Sequence, residues 1–131
     1  HAKIFSIVAN ARDAAAKLIH DRVVHKEPVS GRDADRAARE VIEAAGFGER
    51  FLHRTGHSIG REVHGTGANL DSLETDDHRM LIESTCFSVE PGIYLPGRFG
   101  VRSEIDMTIE NGRAHVSADA VQRAIVPLLA K

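Results

Sequence analysis

Apolar residues recur at steps of three and four along two segments near the start of the chain. From Ile4 to Ile19 they follow the 3.6-residue period of an amphipathic helix. The second segment opens with Ser30-Gly-Arg-Asp33, which has the spacing of a capping box, and its apolar stripe stops before Gly46, a good left-handed cap residue. The pattern therefore predicts two helices joined by a connection over residues 21–29, which Pro28 interrupts.

Beyond Gly48 the helical period gives way to short β-prone runs between glycines and prolines. These runs predict strands around Val63, at 86–89, at 92–94, at 101–109 and at 114–116. Asn111-Gly112 predicts a two-residue hairpin turn. Two helices followed by a mostly antiparallel sheet make the fold class α+β.

Two further segments carry weaker patterns. Residues 65–79 are rich in Asp, Asn, Gly and Thr and predict a long exposed loop, in which Glu74, Asp76 and Asp77 are solvated. Residues 119–129 predict a short final helix, broken near Pro127.

Composition and charge restrict the classes of function. The 17 basic and 19 acidic residues give a net charge of −2 with no basic block, which argues against nucleic-acid binding. No run approaches the roughly 18 apolar residues of a membrane span, so no membrane partner is expected. Cys86 is the only cysteine and is interpreted as a core residue; without a disulfide inside the chain, we expect a reducing, cytoplasmic location. Any metal site would use imidazole and carboxylate groups, because the chain has eight histidines and almost no thiol.

Ionisable residues interrupt three segments in which strand-forming residues are expected. They are His53, His57, His64, Glu90, Arg102 and Glu104. A carboxylate such as Glu90, at the end of an apolar run, needs a partner if it is buried, and a cation would be one. An imidazole with two carboxylates suits manganese, cobalt, iron or zinc better than calcium. Taken singly, a strand Glu beside an Arg is more often a structural ion pair, and His57 a hydrogen-bonded turn residue.

Together these motifs form a longer signature. The string Thr55-Gly-His57-Ser-Ile-Gly60, then His64, Glu90-Pro-Gly-Ile-Tyr94 and Gly100-Val-Arg-Ser-Glu104 resembles that of the pita-bread metallopeptidases. This is the family of methionine aminopeptidase, aminopeptidase P and prolidase, with creatinase as a relative. The fragments Glu-Pro-Gly-Ile-Tyr and Gly-Val-Arg-x-Glu are most similar to the Xaa-Pro peptidase branch, and methionine aminopeptidase is the runner-up. The resemblance covers nearly the whole chain.

The resemblance implies a site with two divalent metal ions, either manganese, cobalt or zinc. His57, Glu90 and Glu104 would be metal ligands, and Glu90 would also handle a proton during attack. The substrate would be a peptide with proline in second position, cleaved at the bond before proline.

The resemblance also implies roles around these ligands. His64 and His53 would line the substrate side, where His64 could stabilise the developing oxyanion. Arg102 would hold the ligand shell in place, and Tyr94 would be an aromatic residue close to the site.

The family's ligand set includes two aspartates on a strand pair before the first helix, and this chain has no matching segment. We therefore expect residues 1–131 to be the C-terminal part of a pita-bread catalytic domain, which alone binds metal weakly and hydrolyses nothing. Apolar surface that the other half would cover favours a homo-oligomer. Two alternatives stay open: a pita-bread module that has lost catalysis and binds peptides or proteins, and a creatinase-like hydrolase that uses no metal.

Overall fold

The computed structural model describes residues 1–129 and begins with the two helices expected from the apolar periodicity. Helix α1 spans Ala2–Val24 and helix α2 spans Gly31–Ala44. The capping box of α2 is confirmed, since the Ser30 hydroxyl accepts from the Asp33 backbone N–H and the Asp33 carboxylate accepts from the Ser30 N–H. Gly46 has φ +82°, the left-handed conformation expected of it. The predicted connection was wrong at residues 21–24, which continue α1.

Six strands follow a short 3-10 turn within the part of the chain that the structure describes. They are β1 Ser58–Ile59, β2 Thr85–Val89, β3 Gly92–Leu95, β4 Phe99–Arg102, β5 Ile105–Glu110 and β6 Arg113–Val116. One antiparallel sheet has the order β1-β2-β5-β6, and β3 pairs with β4 in a second, two-stranded sheet. The hairpin turn between β5 and β6 is confirmed, with positive φ at both Asn111 and Gly112. The α+β fold class is thus confirmed.

The predicted strand at 101–109 was wrong as a single element. It is two strands in different sheets, because β4 ends at Arg102 and β5 begins at Ile105. Alternation survives the break: Ser103 and Ile105 are buried, while Glu104 points outward. The alternation therefore predicts which side of the sheet each residue faces, but it does not predict that β4 pairs with β3 while β5 pairs with β2.

The predicted strand around Val63 was also wrong. The strand of this region is β1, at Ser58–Ile59, and Val63 lies in a bend with 72% of its surface exposed. The Gly65 N–H donates to the Ser58 carbonyl, which closes residues 58–65 into a tight loop. Backbone groups of residues 58–65 form hydrogen bonds within this loop, so Val63 does not pair with a neighbouring strand.

The segment 65–79 is not the exposed loop that its composition suggested. Leu70 is fully buried and its backbone pairs with Gly56. Asp77 is buried too, and its carboxylate binds the Arg79 guanidinium at 2.6 Å and accepts from the Asn69 N–H. The hydrogen bonds from Arg79 lower the pKa of Asp77 to about 2. The solvated interpretation was wrong for Asp77, although Glu74 and Asp76 are exposed as predicted.

The predicted helix at 119–129 was wrong. These residues form bends and turns, and nearly all of them are exposed. A helix this short is not stable without an apolar face to bury. Only Val121 is half-buried in this stretch.

Helix α1 is the central element of the core, since it contacts α2 and strands of both sheets. Its apolar stripe is fully buried at Val8, Ala11, Ala15 and Ile19. Cys86 is half-buried on β2 and so lies at the margin of the core rather than inside it. None of the helices within residues 1–129 is long and apolar enough to cross a membrane.

Candidate active site

His57 is fixed immediately before β1 by bonds to Ser88, near the end of β2. Its backbone N–H donates to the Ser88 hydroxyl at 3.0 Å, and the Ser88 N–H donates to its carbonyl at 2.9 Å. The imidazole Nδ1 lies 3.0 Å from the Ser58 carbonyl oxygen. Because a carbonyl only accepts, Nδ1 carries a hydrogen, and Nε2 is the ring nitrogen left to face the site. Nε2 faces Glu90 Oε1 at 3.2 Å.

The glycine of the Thr55-Gly-His57 motif is required by this contact with β2. A Cβ on Gly56 would lie 1.9 Å from the Ser88 carbonyl oxygen. Any larger residue would push the chain away from the strand and take His57 with it.

Glu90 follows β2 and has a buried carboxylate. Its backbone N–H donates to the Thr55 carbonyl at 2.6 Å. The Ser88 hydroxyl donates to Oε1 at 2.8 Å, and Arg102 Nη1 lies 3.2 Å from Oε2. Both oxygens are held by donors, so the orientation of the carboxylate is set.

Glu104 lies in the link between β4 and β5 and reaches the same group through Arg102. Arg102 Nη2 is 3.5 Å from Glu104 Oε2, so one guanidinium bridges the carboxylates of Glu90 and Glu104. Burial, followed by the negative charges of Glu90 and Asp106, raises the pKa of Glu104. The electrostatics therefore favour a cation beside this pair of carboxylates.

The two other candidate histidines, His64 and His53, lie in different positions. His64 is exposed, and its ring centre lies 4.3 Å from that of His57. His53 Nδ1 faces the Arg54 carbonyl at 2.7 Å, which leaves Nε2 to accept from the Tyr94 hydroxyl at 2.8 Å. Burial raises the pKa of Tyr94, so the phenol stays protonated as the donor.

The residues singled out in the sequence thus lie together around β1, the end of β2, β3 and the β4–β5 link. One row of contacts runs from His64 through His57, Glu90 and Arg102 to Glu104. His53 and Tyr94 form a second pair, and the charges of Glu90 and Arg102 act on the Tyr94 phenol.

Ser88 was not foreseen from the sequence, although its contacts connect His57 with Glu90. It is fully buried, as are Phe87 and Val89 on either side of it. A serine inside a β-prone run, two residues before a carboxylate, was the available signal.

Asp35 and Arg39 were also missed, and they support the site from α2. Asp35 is fully buried and accepts from Arg39 Nε at 3.0 Å, from the Thr55 N–H at 2.8 Å and from the Ser72 N–H at 3.1 Å. Burial opposes its ionisation, but the hydrogen bonds from Arg39, Ser72 and Thr55 keep the pKa of Asp35 below its usual value.

Arg39 uses its remaining donors on the chain that leads to His57. It donates to the Phe51 carbonyl at 3.2 Å and to the His53 carbonyl at 3.0 Å. The sequence signal was a charged i, i+4 pair inside the apolar stripe of α2, next to Ala38 and Ile42.

The side chains that converge here fit a divalent metal ion in kind. Imidazole and carboxylate are the ligands that manganese, cobalt and zinc take, and His57 Nε2 lies 3.2 Å from Glu90 Oε1. Their number is short, because zinc takes about four ligands in proteins and magnesium-like ions about six. Among residues 1–129, no three His, Cys, Asp or Glu side chains are placed to hold one ion. The described residues offer part of a ligand set.

Comparison with known proteins identifies the family of the chain. Residues 1–111 match metallopeptidase family M24. The chain belongs to this family. It is 38% identical over 102 residues to an Xaa-Pro dipeptidase of Lactobacillus helveticus, covering 78% of this chain and 25% of the relative. It is 35% identical over 128 residues to the probable dipeptidase PepE of Mycobacterium tuberculosis, covering 97% of this chain and 32% of the relative.

Solved structures of the family share the fold of this M24 chain. The crystal structure of a dipeptidase from Pyrococcus horikoshii OT3 superposes with a TM-score of 0.78 at 35% identity, covering 94% of this chain and 32% of that one. The resemblance to the pita-bread peptidases is therefore confirmed, with two helices packed on antiparallel sheets. The chain spans only a quarter to a third of the length of these relatives.

We expect the Asp35–Arg39 pair to be essential for folding. Asp35→Ala leaves a buried guanidinium without its counter-charge and should lower the free energy of unfolding by about 3–5 kcal/mol. Urea denaturation followed by circular dichroism measures the change, and a variant already unfolded in buffer also meets the expectation. The matched control is Arg36→Ala, which breaks an exposed i, i+4 pair on the same helix and should cost no more than about 0.5 kcal/mol. Similar losses in both variants would contradict the assignment.

Proposed function

We propose that this chain is the part of a metal-dependent Xaa-Pro peptidase that carries His57, Glu90 and Glu104, and that the whole enzyme cleaves the bond before proline near a free N-terminus. The observation that carries the proposal is the row of contacts from His57 through Glu90 and Arg102 to Glu104 in a chain of family M24. The substrate class is supported by the names of the relatives, which include an Xaa-Pro dipeptidase.

In this proposal His57 Nε2 and the carboxylates of Glu90 and Glu104 would hold two divalent ions, manganese, cobalt or zinc, together with ligands from residues outside this chain. The ions would supply an activated water and would polarise the scissile carbonyl. Residues 1–131 would then be the C-terminal part of the catalytic domain.

In this proposal, residues of the chain orient the metal ligands and transfer the proton of the attacking water. The Nδ1–H of His57 is held by the Ser58 carbonyl, which fixes the ring and directs Nε2 inward. Glu90 is the proton carrier, because its carboxylate is oriented by Ser88 and Arg102 before substrate arrives. It would accept a proton from water during attack and give it to the leaving amine.

The two remaining histidines serve the substrate side in different ways. His64 is exposed beside His57, so its ring is free to donate a hydrogen bond to the developing oxyanion. The Nε2 of His53 already accepts from Tyr94, so His53 acts in the pocket by orienting the phenol.

The environment of the whole protein is also part of the proposal. A cytoplasmic location is supported by the single cysteine of this chain. Self-association is supported by exposed large apolar side chains. They include Leu52, Val63, Leu73 and Ile82.

The first test concerns metal. The chain lacks the two aspartates that the family resemblance places upstream, so we expect weak binding of manganese or cobalt and no hydrolysis of Xaa-Pro peptides. Isothermal titration calorimetry of residues 1–131 measures the affinity and stoichiometry. Submicromolar binding of two ions would refute the proposal that further ligands come from outside this chain.

The second test concerns the reaction. In the full-length parent, His57→Ala and Glu104→Gln should each lower kcat/KM for an Xaa-Pro dipeptide by about a hundredfold or more, since each removes a metal ligand. Metal content measured on the same samples should fall with activity. Glu40→Gln, on the exposed face of α2, is the control and should change neither quantity. Full activity in the Glu104 variant would remove this residue from the site.

The third test concerns association. Light scattering of the chain at rising concentration should show species larger than the monomer, because the exposed apolar side chains favour contact between copies. A clean monomer at the highest concentration would contradict this.

A further inference from the structure

Arg12 is a buried cation in the middle of α1, with only 1% of its surface exposed. Its Nη1 donates to the Ser103 hydroxyl at 2.6 Å and to the Gln122 carbonyl at 3.2 Å. Nε and Nη2 contact Asp13 Oδ1 at 2.8 and 2.7 Å. Burying a guanidinium is costly unless its donors are paired.

Ser103 is the residue that connects this cation to the site. It lies between Arg102 and Glu104 in the link that leaves one sheet and enters the other. Its side chain is buried toward α1, while Arg102 and Glu104 are half-exposed on the opposite side. Because successive side chains of an extended segment point to opposite sides, the Arg12–Ser103 bond also restrains Arg102 and Glu104, the residues on either side of Ser103.

Strand pairing alone does not hold the link. The last pair of the two-stranded sheet is Arg102 with Gly92, and the neighbouring sheet resumes with Ile105 opposite Val89. Between them, the Ser103 N–H donates to the Pro91 carbonyl at 3.3 Å, next to Glu90. The 2.6 Å bond from Arg12 is the shorter of these two fixings of Ser103.

We propose that Arg12 is a positioning residue of the site: by holding Ser103 from the helix side, it sets Arg102 and Glu104 in place relative to Glu90. The proposal rests on the function proposed above, in which Glu104 is a metal ligand. Asp13 neutralises the buried charge and also pairs with Arg123 at the surface, 3.2 Å away, so the network has one end at the site and one end in solvent.

The test uses manganese as a paramagnetic probe of the 131-residue chain. Millimolar Mn²⁺ should broaden the NMR signals of His57 and of the Glu104 side chain even if binding is weak. In Ser103→Ala, which removes the acceptor with little change in volume, the Mn²⁺ concentration that half-broadens the Glu104 and His57 signals should rise about tenfold or more. Arg12→Met should do the same, and Ser103→Thr, which keeps the hydroxyl, should restore the wild-type response.

Arg123→Ala is the matched control, because it breaks the solvent end of the network without touching Ser103. It should leave the Glu104 response unchanged. An unchanged response in Ser103→Ala and Arg12→Met would overturn the positioning role. So would an equally weakened Glu104 response in Arg123→Ala, with the response of every variant following its thermal stability. If Mn²⁺ broadens neither His57 nor Glu104 in the wild-type chain, the proposed metal site itself fails, which is a different result.

Discussion

A buried ion pair on one helix holds the backbone on which the candidate site is built. Asp35 and Arg39 bind alternate residues of the segment 51–55: the carbonyls of Phe51 and His53 and the N–H of Thr55. This segment has no strand partner of its own, and buried backbone groups must be paired. The Thr55 carbonyl in turn accepts from the Glu90 N–H. The Asp35–Arg39 ion pair therefore fixes the backbone next to His53, His57 and Glu90.

The second organising feature is charge. Glu90 and Glu104 share the guanidinium of Arg102, and burial together with the neighbouring carboxylates disfavours the ionised form of Glu104. A divalent cation would reverse that balance, which agrees with the family to which the chain belongs. Two buried arginines bind residues next to the site: Arg12 donates to the Ser103 hydroxyl in the β4–β5 link, and Arg39 donates to the His53 carbonyl.

Much of the fold was predictable because the signals were local. Helix periods, the Ser30 capping box and the Asn111-Gly112 turn depend on residues within a few positions of one another, and all were confirmed. The error at 101–109 occurred where distant pairing decides, since the run keeps one alternation but changes sheets. Composition misread Asp77, which is buried because backbone N–H groups and Arg79 use its carboxylate. The family was recognisable because its motifs are short and keep their order along the chain.

The sequence by itself determined the helices, the hairpin and the residue types of the candidate site, since each is encoded within a short stretch. Only the tertiary structure decided that His57 faces Glu90, that one arginine joins two carboxylates, and that Asp35 and Arg12 bond to Thr55 and Ser103. The Asp35–Thr55 and Arg12–Ser103 bonds join residues 20 and 91 positions apart. Partners at such separations are chosen by how helices and sheets pack, which no local pattern specifies.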